Sequence, residues 1–471
     1  MRPGLSAGAK SPRKECGGRK KRWRAAQPDA AEALGELTAF AKRDGAELTA
    51  AMGAAFAAIR GRCEEKCTYR PPLLGWAMLG MFLFRRGSVN ALDAQRPVGS
   101  AHPSWLREVS GLTPEAGAEA PCGELLRHWA GRLDAEVAAE LLSTAFETLV
   151  LRQKRLDVGR IDDCILVAVD GTGRDKCRKG TRENGKRRRV ALVASVLASW
   201  GKVPIAFEEV DEYDWMLDKA DCERKAFDLL ALRLKKRFPK LRICLVGDAL
   251  YACRSLFLTC ERNNWRFIAT FKEGSWKDVS RNVDALLALE RANHGPYRPT
   301  GWQAHRRDAA GGRVKTDGKV RWVGNVDFGA RGGAKDGRWL LTVVACREIS
   351  PMPYDGRFVT DLPCPDAAAA SRIATCGRKR WWIESQNQTQ KHRGYGLKHN
   401  YCNKSNASKV LFVFLLLATL LWEVFYKLGL RHWQPGTRKT SEESWVKMMW
   451  ALLIAGSQQW REVKGRNLKR A

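Results

Sequence analysis

ILVAVDGTG (165–173) is the stretch that decides how this chain folds. Cys164–Val169 is apolar at every position, and a short run apolar on both parities belongs in a central strand covered on both faces. It ends in Asp170, and Gly171-Thr172-Gly173 reads as the turn that stops it. RICLVGDAL (242–250) repeats the pattern, with a strand over Leu241–Gly247, then Asp248, then a helix over Tyr251–Asn263. Each strand delivers one acid to its carboxyl end, which is where α/β sheets place their ligands.

Between the two lie a basic loop, RDKCRKGTRENGKRRR (174–189), and two strands, Val190–Ser199 and Val203–Phe207, around Gly201-Lys202. That spacing predicts a hairpin. Cys222–Phe238 reads as a basic helix and Trp265–Phe271 as a further strand. The order strand, hairpin, helix, strand, helix, strand is similar to the opening of the ribonuclease H-like fold. The expected fold class is therefore α/β, a mixed sheet flanked by helices. In that fold the first and fourth strands are parallel neighbours, so Asp170 and Asp248 would emerge side by side.

A third acid stands in RKRWWIESQNQTQK (378–391). Arg380 lies four residues before Glu384 and Lys391 seven after, which is one face of an α-helix. Each acid also has an ordinary reading: Glu384 as a solvated ion pair, Asp170 as a strand-ending turn, Asp248 as an N-cap. Asp162, Asp163, Asp211 and Asp214 are further acids, but outside the buried strand ends. Taken together, Asp170, Asp248 and Glu384 suit Mg²⁺, which prefers carboxylate and water ligands. Paired ions of that kind clamp a scissile phosphate.

The totals point the same way. The 471 residues carry 82 Lys and Arg against 51 acids, a formal charge of +31, which bears on partner and favours a polyanion such as nucleic acid. The fourteen cysteines are scattered, and no apolar stretch follows the basic N-terminus, so the reading is reduced thiols in a cytoplasmic protein, associated with the nucleoid if it acts on DNA. Cys63 and Cys67 form a close pair without the second pair a zinc site needs. Val410–Trp422 is too short a run to cross a bilayer and is interrupted by Glu423; a buried core helix over Ala407–Leu428 is expected, and no membrane.

The expected organisation is a flexible basic arm (1–28), a helical DNA-binding or dimerisation domain (29–155), a catalytic domain in two pieces (156–272 and 338–430), a β-rich insertion (273–337) and a basic helical tail (431–471). Within the helical domain, Leu73–Phe84, the turn Arg85-Arg86-Gly87-Ser88 and a helix to Ala94 are compatible with a helix-turn-helix. The connector from Cys346 to the Glu384 helix reads as Pro/Ala-rich.

Asp170 in VAVDGTG, Asp248 in LVGDALYA and Glu384 in RWWIESQNQTQK resemble the catalytic triad of DDE transposases from bacterial insertion sequences. The most similar type carries a β-rich insertion before the glutamate and a signature of Tyr, two residues, Arg, three residues, Glu, six residues, Lys. Arg380, Glu384 and Lys391 match its last three positions; Gly377 occupies the first. The resemblance covers about residues 160–430. It implies Mg²⁺-dependent cleavage at element ends and strand transfer into double-stranded target DNA by a homodimer on paired ends, with Mn²⁺ as a substitute ion. It also implies DNA contacts by Arg380 and Lys391, and by insertion tryptophans holding a flipped base, for which Trp302 and Trp322 are the candidates. A metal-dependent nuclease without strand transfer and a non-catalytic DNA-binding descendant are the alternatives.

Overall fold

The computed structural model describes residues 30–60, 69–94, 102–112, 120–156, 161–177, 187–210, 219–272, 274, 276–289, 293–299, 305–307, 313–329, 338–350, 354–430 and 441–468. The arm at 1–28, Cys63, Cys67, Asp211, Asp214 and Trp302 lie outside the described residues.

The chain begins with helices α1 (Ala30–Arg43), α2 (Ala46–Arg60), α3 (Pro71–Leu83), α4 (Val89–Ala94), α5 (His102–Val109), α6 (Gly123–Arg132) and α7 (Ala135–Phe146). Ser88 caps α4, its Oγ accepting from the Ala91 N–H at 3.0 Å. The basic turn between α3 and α4 faces inward. Arg85 is 6% exposed, is ion-paired with Glu442 and lies over the Tyr395 ring, and the Arg86 guanidinium lies over Trp450. A helix-turn-helix corner offered to phosphates is not what these two arginines form.

Then come β1 (Ile165–Cys177), β2 (Arg187–Leu197), β3 (Lys202–Val210), α8 (Lys219–Arg237), β4 (Ile243–Gly247), α9 (Arg254–Asn263), β5 (Arg266–Thr270) and α10 (Lys277–Leu289). They are followed by β6 (His294–Pro296), β7 (His305–Arg307), β8 (Arg313–Lys315), β9 (Asp317–Asp327), β10 (Leu340–Ser350) and β11 (Tyr354–Thr360). The chain continues through α11 (Ala367–Arg378), α12 (Trp381–His392), α13 (Ser405–Val424) and α14 (Glu442–Leu468).

Among the described residues, nine strands form one mixed sheet in the order β3-β2-β1-β4-β5-β11-β10-β9-β6. β1 is parallel to β4 and β4 to β5, while the other pairs are antiparallel. Around β1, β4 and β5 both faces are covered, as the continuous apolar runs require. Leu166, Ala168, Cys244 and Val246 pack against Ala370, Ile373, Ala374 and Ile383 of α11 and α12. Val167, Val169, Leu245 and Phe267 point the other way, into the large core shared with α8, α9, α10 and the N-terminal helices.

Three expectations change. The segment 273–337 opens on helix α10, and its strands β6 and β9 extend the main sheet past β10. The connector before Glu384 is ordered as strand β11 and helix α11, because Tyr354–Thr360 fills the sheet position between β5 and β10. Ser405–Gly429 forms a single helical run, long and apolar enough to cross a membrane, with 89% of its most apolar window buried inside the protein. It packs among α3, α6 and α7 and along β3.

Candidate active site

β1 does not stop at Asp170. Its pairing with β2 continues through Asp170↔Val193, Gly171↔Leu192 and Thr172↔Ala191, so Gly171-Thr172-Gly173 is strand and not turn. What ends there is the parallel pairing, at Ala168↔Val246. Asp170 and Asp248 each lie two residues beyond that last pair, at the same level on neighbouring chains. Alternation puts Asp170 on the face of Leu166 and Ala168, and Asp248 on the face of Cys244 and Val246. Both acids therefore address the side of the sheet covered by α11 and α12.

The Glu384 stretch is not one helix. α11 ends at Arg378, and Arg380 is the N-cap of α12. The Arg380 guanidinium still reaches Glu384, donating from Nη1 to Oε1 at 2.5 Å, the one-turn contact that the spacing predicts. Lys391 lies in the last turn of α12, roughly 10 Å along the axis from Glu384 at 1.5 Å per residue.

Polar side chains hold α12 in place. Ile383, Gln386, Asn387 and Gln390 are its buried stripe, spaced for one helix face. Ser195 Oγ on β2 donates to Gln386 Oε1 at 2.9 Å, and Gln390 Nε2 donates to Thr419 Oγ1 on α13 at 3.1 Å. Asn387 Nδ2 donates to Asp170 Oδ2 at 2.8 Å. Asn387 stands three residues after Glu384, so the hydrogen bond that fixes Asp170 also fixes which turn of α12 faces it. Sequence reasoning missed these three amides, since glutamine and asparagine in a helix ordinarily mark a solvated face.

Electrostatics tie the acids together. The Asp170 carboxyl is pushed up to about 6, first by burial, with Arg380 opposing and Glu384 and Asp248 adding. Asp248 carries out its ordinary role as well: its Oδ1 accepts from the Leu250 N–H at 2.8 Å. A fourth acid, Glu223 of α8, lies under the opposite face of β1, where a Cβ on Gly171 would come 3.0 Å from its Oε1. Burial, then Glu223, Asp248 and Asp170, hold the Tyr251 phenol well above its usual range. The sequence offered no sign of Glu223, because α8 reads as a basic helix.

The donor types fit a hard divalent cation, and their mutual repulsion is the charge pattern that such an ion relieves. As the side chains stand, no three His, Cys, Asp or Glu among the described residues are close enough to hold a metal ion. Glu384 is turned onto Arg380 and Asp170 onto Asn387, and a shared ion needs at least Glu384 to turn away from its arginine.

One expected contact is not assembled, and one departure from the signature is explained. Trp322 is 6% exposed, on the buried parity of β9, and packs with Val320 and Ile373 under α11, where no base can reach it. The missing signature tyrosine has a steric cause: a Cβ at Gly377 would lie 2.5 Å from the Phe358 ring, so β11 already fills that space. Beside it, Arg378 is buried, paired with Glu348, and stacked over Tyr354 at 4.0 Å.

No family model matches the chain. No curated protein matches it. Among solved structures it is similar to a piggyBac transposase synaptic complex with hairpin DNA, determined by cryo-EM, with a TM-score of 0.38 and 10% identity over 92% of this chain and 82% of that one.

Proposed function

We propose that the chain is a DDE transposase of the insertion-sequence type, with a ribonuclease H-like catalytic core. The order β3-β2-β1-β4-β5, with β1 parallel to β4, supports that fold reading. One observation carries the functional reading: Asp170, Asp248 and Glu384 lie at one end of the sheet, where burial first, and then the charges of Glu384 and Asp248, raise the Asp170 carboxyl. Acids are brought together at such a cost when a cation or a proton transfer is to be served.

In this reading Asp170, Asp248 and Glu384 hold Mg²⁺, or Mn²⁺ in its place. When bound, the ions activate the attacking oxygen and stabilise the leaving oxygen of a phosphodiester. Arg380 turns from Glu384 to a non-bridging phosphate oxygen, a charge-assisted contact suited to a guanidinium. Asn387 keeps Asp170 oriented, and Lys391 takes a phosphate two turns along α12. The substrate is double-stranded DNA at element ends, joined to target DNA by a homodimer on paired ends in the bacterial cytoplasm.

The test is a cleavage and strand-transfer assay on DNA carrying the element's ends, with Mg²⁺ and with a chelator. Cleavage and joining that require Mg²⁺ and vanish in Glu384→Ala support the reading. Cleavage without joining reduces it to a nuclease, and DNA binding without cleavage removes the catalytic claim.

A further inference from the structure

β9, β10 and β11 carry an unusual face. The pairings set Lys319 and Asp355 on either side of Arg347, and Arg321 and Arg357 on either side of Ala345. Residues two apart on a strand share a face, so these two rows lie on one surface. Lys319 directly beside Arg347 is a like-charge cross-strand pair, which destabilises a sheet. Among the described residues the Lys319, Arg321 and Lys272 side chains have no acidic partner. Arg347 reaches Asp355 only at 3.7 Å, with both side chains 76% exposed.

This surface runs into a notch. β5 pairs with β11 no further than Thr270↔Phe358, which leaves Tyr354–Gly356 without a strand on that side. Lys272 and the α11–α12 corner border the gap. The resulting groove measures about 1510 Å³, beyond the roughly 300–1,000 Å³ of a small-molecule pocket. Its Lys and Arg lining is Lys272, Lys319, Arg321, Arg347, Arg357 and Arg380, with the acids Asp317 and Asp355; Arg357 is paired with Asp284 at 2.8 Å and Arg380 with Glu384, which leaves Lys272, Lys319, Arg321 and Arg347 as the track. Trp381 stands in it 54% exposed, with the Arg380 guanidinium 5.3 Å from its ring centre. The two rows have the parity opposite to Val320, Trp322, Val344, Cys346 and Phe358, so they lie on the sheet face away from α11 and the three acids, and the notch beside β11, bordered by Arg380, which also holds Glu384, is where the two sides meet. β4 and β11 are two strands apart, roughly 10 Å.

We propose that this groove binds a single strand of nucleic acid, the stretch adjoining the phosphodiester held at the three acids. Its placement next to a scissile bond rests on the function proposed above; its capacity to bind a strand does not. A trough floored by three strands is roughly 10 Å across. The major groove of a B-form duplex is by itself roughly 12 Å wide, so a duplex does not enter. A cationic track with an exposed indole is what a single strand uses, phosphates on the charges and bases on the ring.

The experiment is fluorescence anisotropy of the full chain with a labelled oligothymidine and with a duplex of equal length, over a salt series. The wild type is expected to bind the single strand, and Lys319→Glu/Arg321→Glu to weaken it at least tenfold. The milder Lys319→Ala/Arg321→Ala pair, at exposed positions, should flatten the salt slope by about 1.4, the loss of two phosphate contacts. Lys447→Ala, an exposed cation of α14 that does not line the groove, is expected to leave both unchanged. Wild-type affinity and slope in the Ala pair overturn the proposal, as does a duplex bound more tightly through the same residues. A protein that binds the strand through Lys319 and Arg321 yet never cleaves DNA keeps the groove and loses the catalytic reading; cleavage with no effect of these residues does the reverse.

Discussion

Arg380 and Glu384 meet at 2.5 Å across one turn of α12, and the arginine is the more buried of the two, 13% against 35% exposed. The contact satisfies Glu384 with a cation that belongs to the protein, so a metal ion and Arg380 compete for the same oxygens. Arg380→Ala is expected to tighten Mn²⁺ binding to the DNA-free protein by about tenfold, roughly 1.4 kcal/mol, and to slow DNA cleavage. Titration of Mn²⁺ followed by electron paramagnetic resonance reads the first effect. Unchanged or weaker Mn²⁺ binding in the variant would remove the competition.

Asp170 gives a pH signature. Its carboxyl is raised to about 6 from an ordinary value of 3.8, so the folded chain binds its proton more tightly than the unfolded chain does. The contribution of Asp170 to stability is therefore fully present below pH 4, is lost as pH rises through about 6, and stays lost above it. In a chelator, Asp170→Asn should stabilise the protein at pH 8, by roughly 3 kcal/mol at most, and leave it unchanged near pH 3.5. Urea midpoints at the two pH values check this. Equal effects at both would show that Asp170 is not strained.

Asn387 separates orientation from binding. Asn387→Leu removes the hydrogen bond to Asp170 but no charge. The expected loss is about 1 kcal/mol of stability, with kcat for cleavage reduced and affinity for DNA retained. A variant with wild-type kcat would show that Asp170 keeps its position without the amide.

The Glu348–Arg378 pair fixes α11, and through it the start of α12, to β10. Both side chains are buried, so Arg378→Met leaves Glu348 uncompensated and should cost about 3–5 kcal/mol. The double variant Arg378→Met/Glu348→Gln should recover part of it. A double variant no better than the single one would show that packing over Tyr354, and not charge, holds the corner.

Gly377 tests the steric reading of the signature. Gly377→Ala is expected to cost about 1–3 kcal/mol because its methyl meets Phe358, and Phe358→Leu should relieve some of that cost. Thermal unfolding of the single and double variants decides it. A neutral Gly377→Ala would mean that β11 yields readily and that sterics do not exclude a larger residue.

The sheet's centre was legible because burial on both faces leaves no choice of residue. Cys164–Val169 and Leu241–Gly247 had to be continuous apolar runs, and alternation then carried Asp170 and Asp248 to one face. The spacing of Arg380 to Glu384 was equally plain, since one turn of helix is local geometry. Non-local facts were hidden. Alternation in β9 marks Trp322 as belonging to one face but cannot say that α11 will cover it. Nothing in RKRWWIES announces a break between two helices, because both halves favour helix and the corner is set by packing against β11. Glu223, Gln386, Asn387 and Gln390 act through partners more than a hundred residues away or on other elements, which a reading along the chain does not see.

The central claim is that Asp170, Asp248 and Glu384 bind divalent cation together, and Mn²⁺ titration of the wild type and the three single alanine variants tests it most directly. The account predicts saturable binding by the wild type at pH 8 and loss of at least one bound ion in each variant, with the fold intact by circular dichroism. Equal stoichiometry and affinity in all four proteins would contradict it.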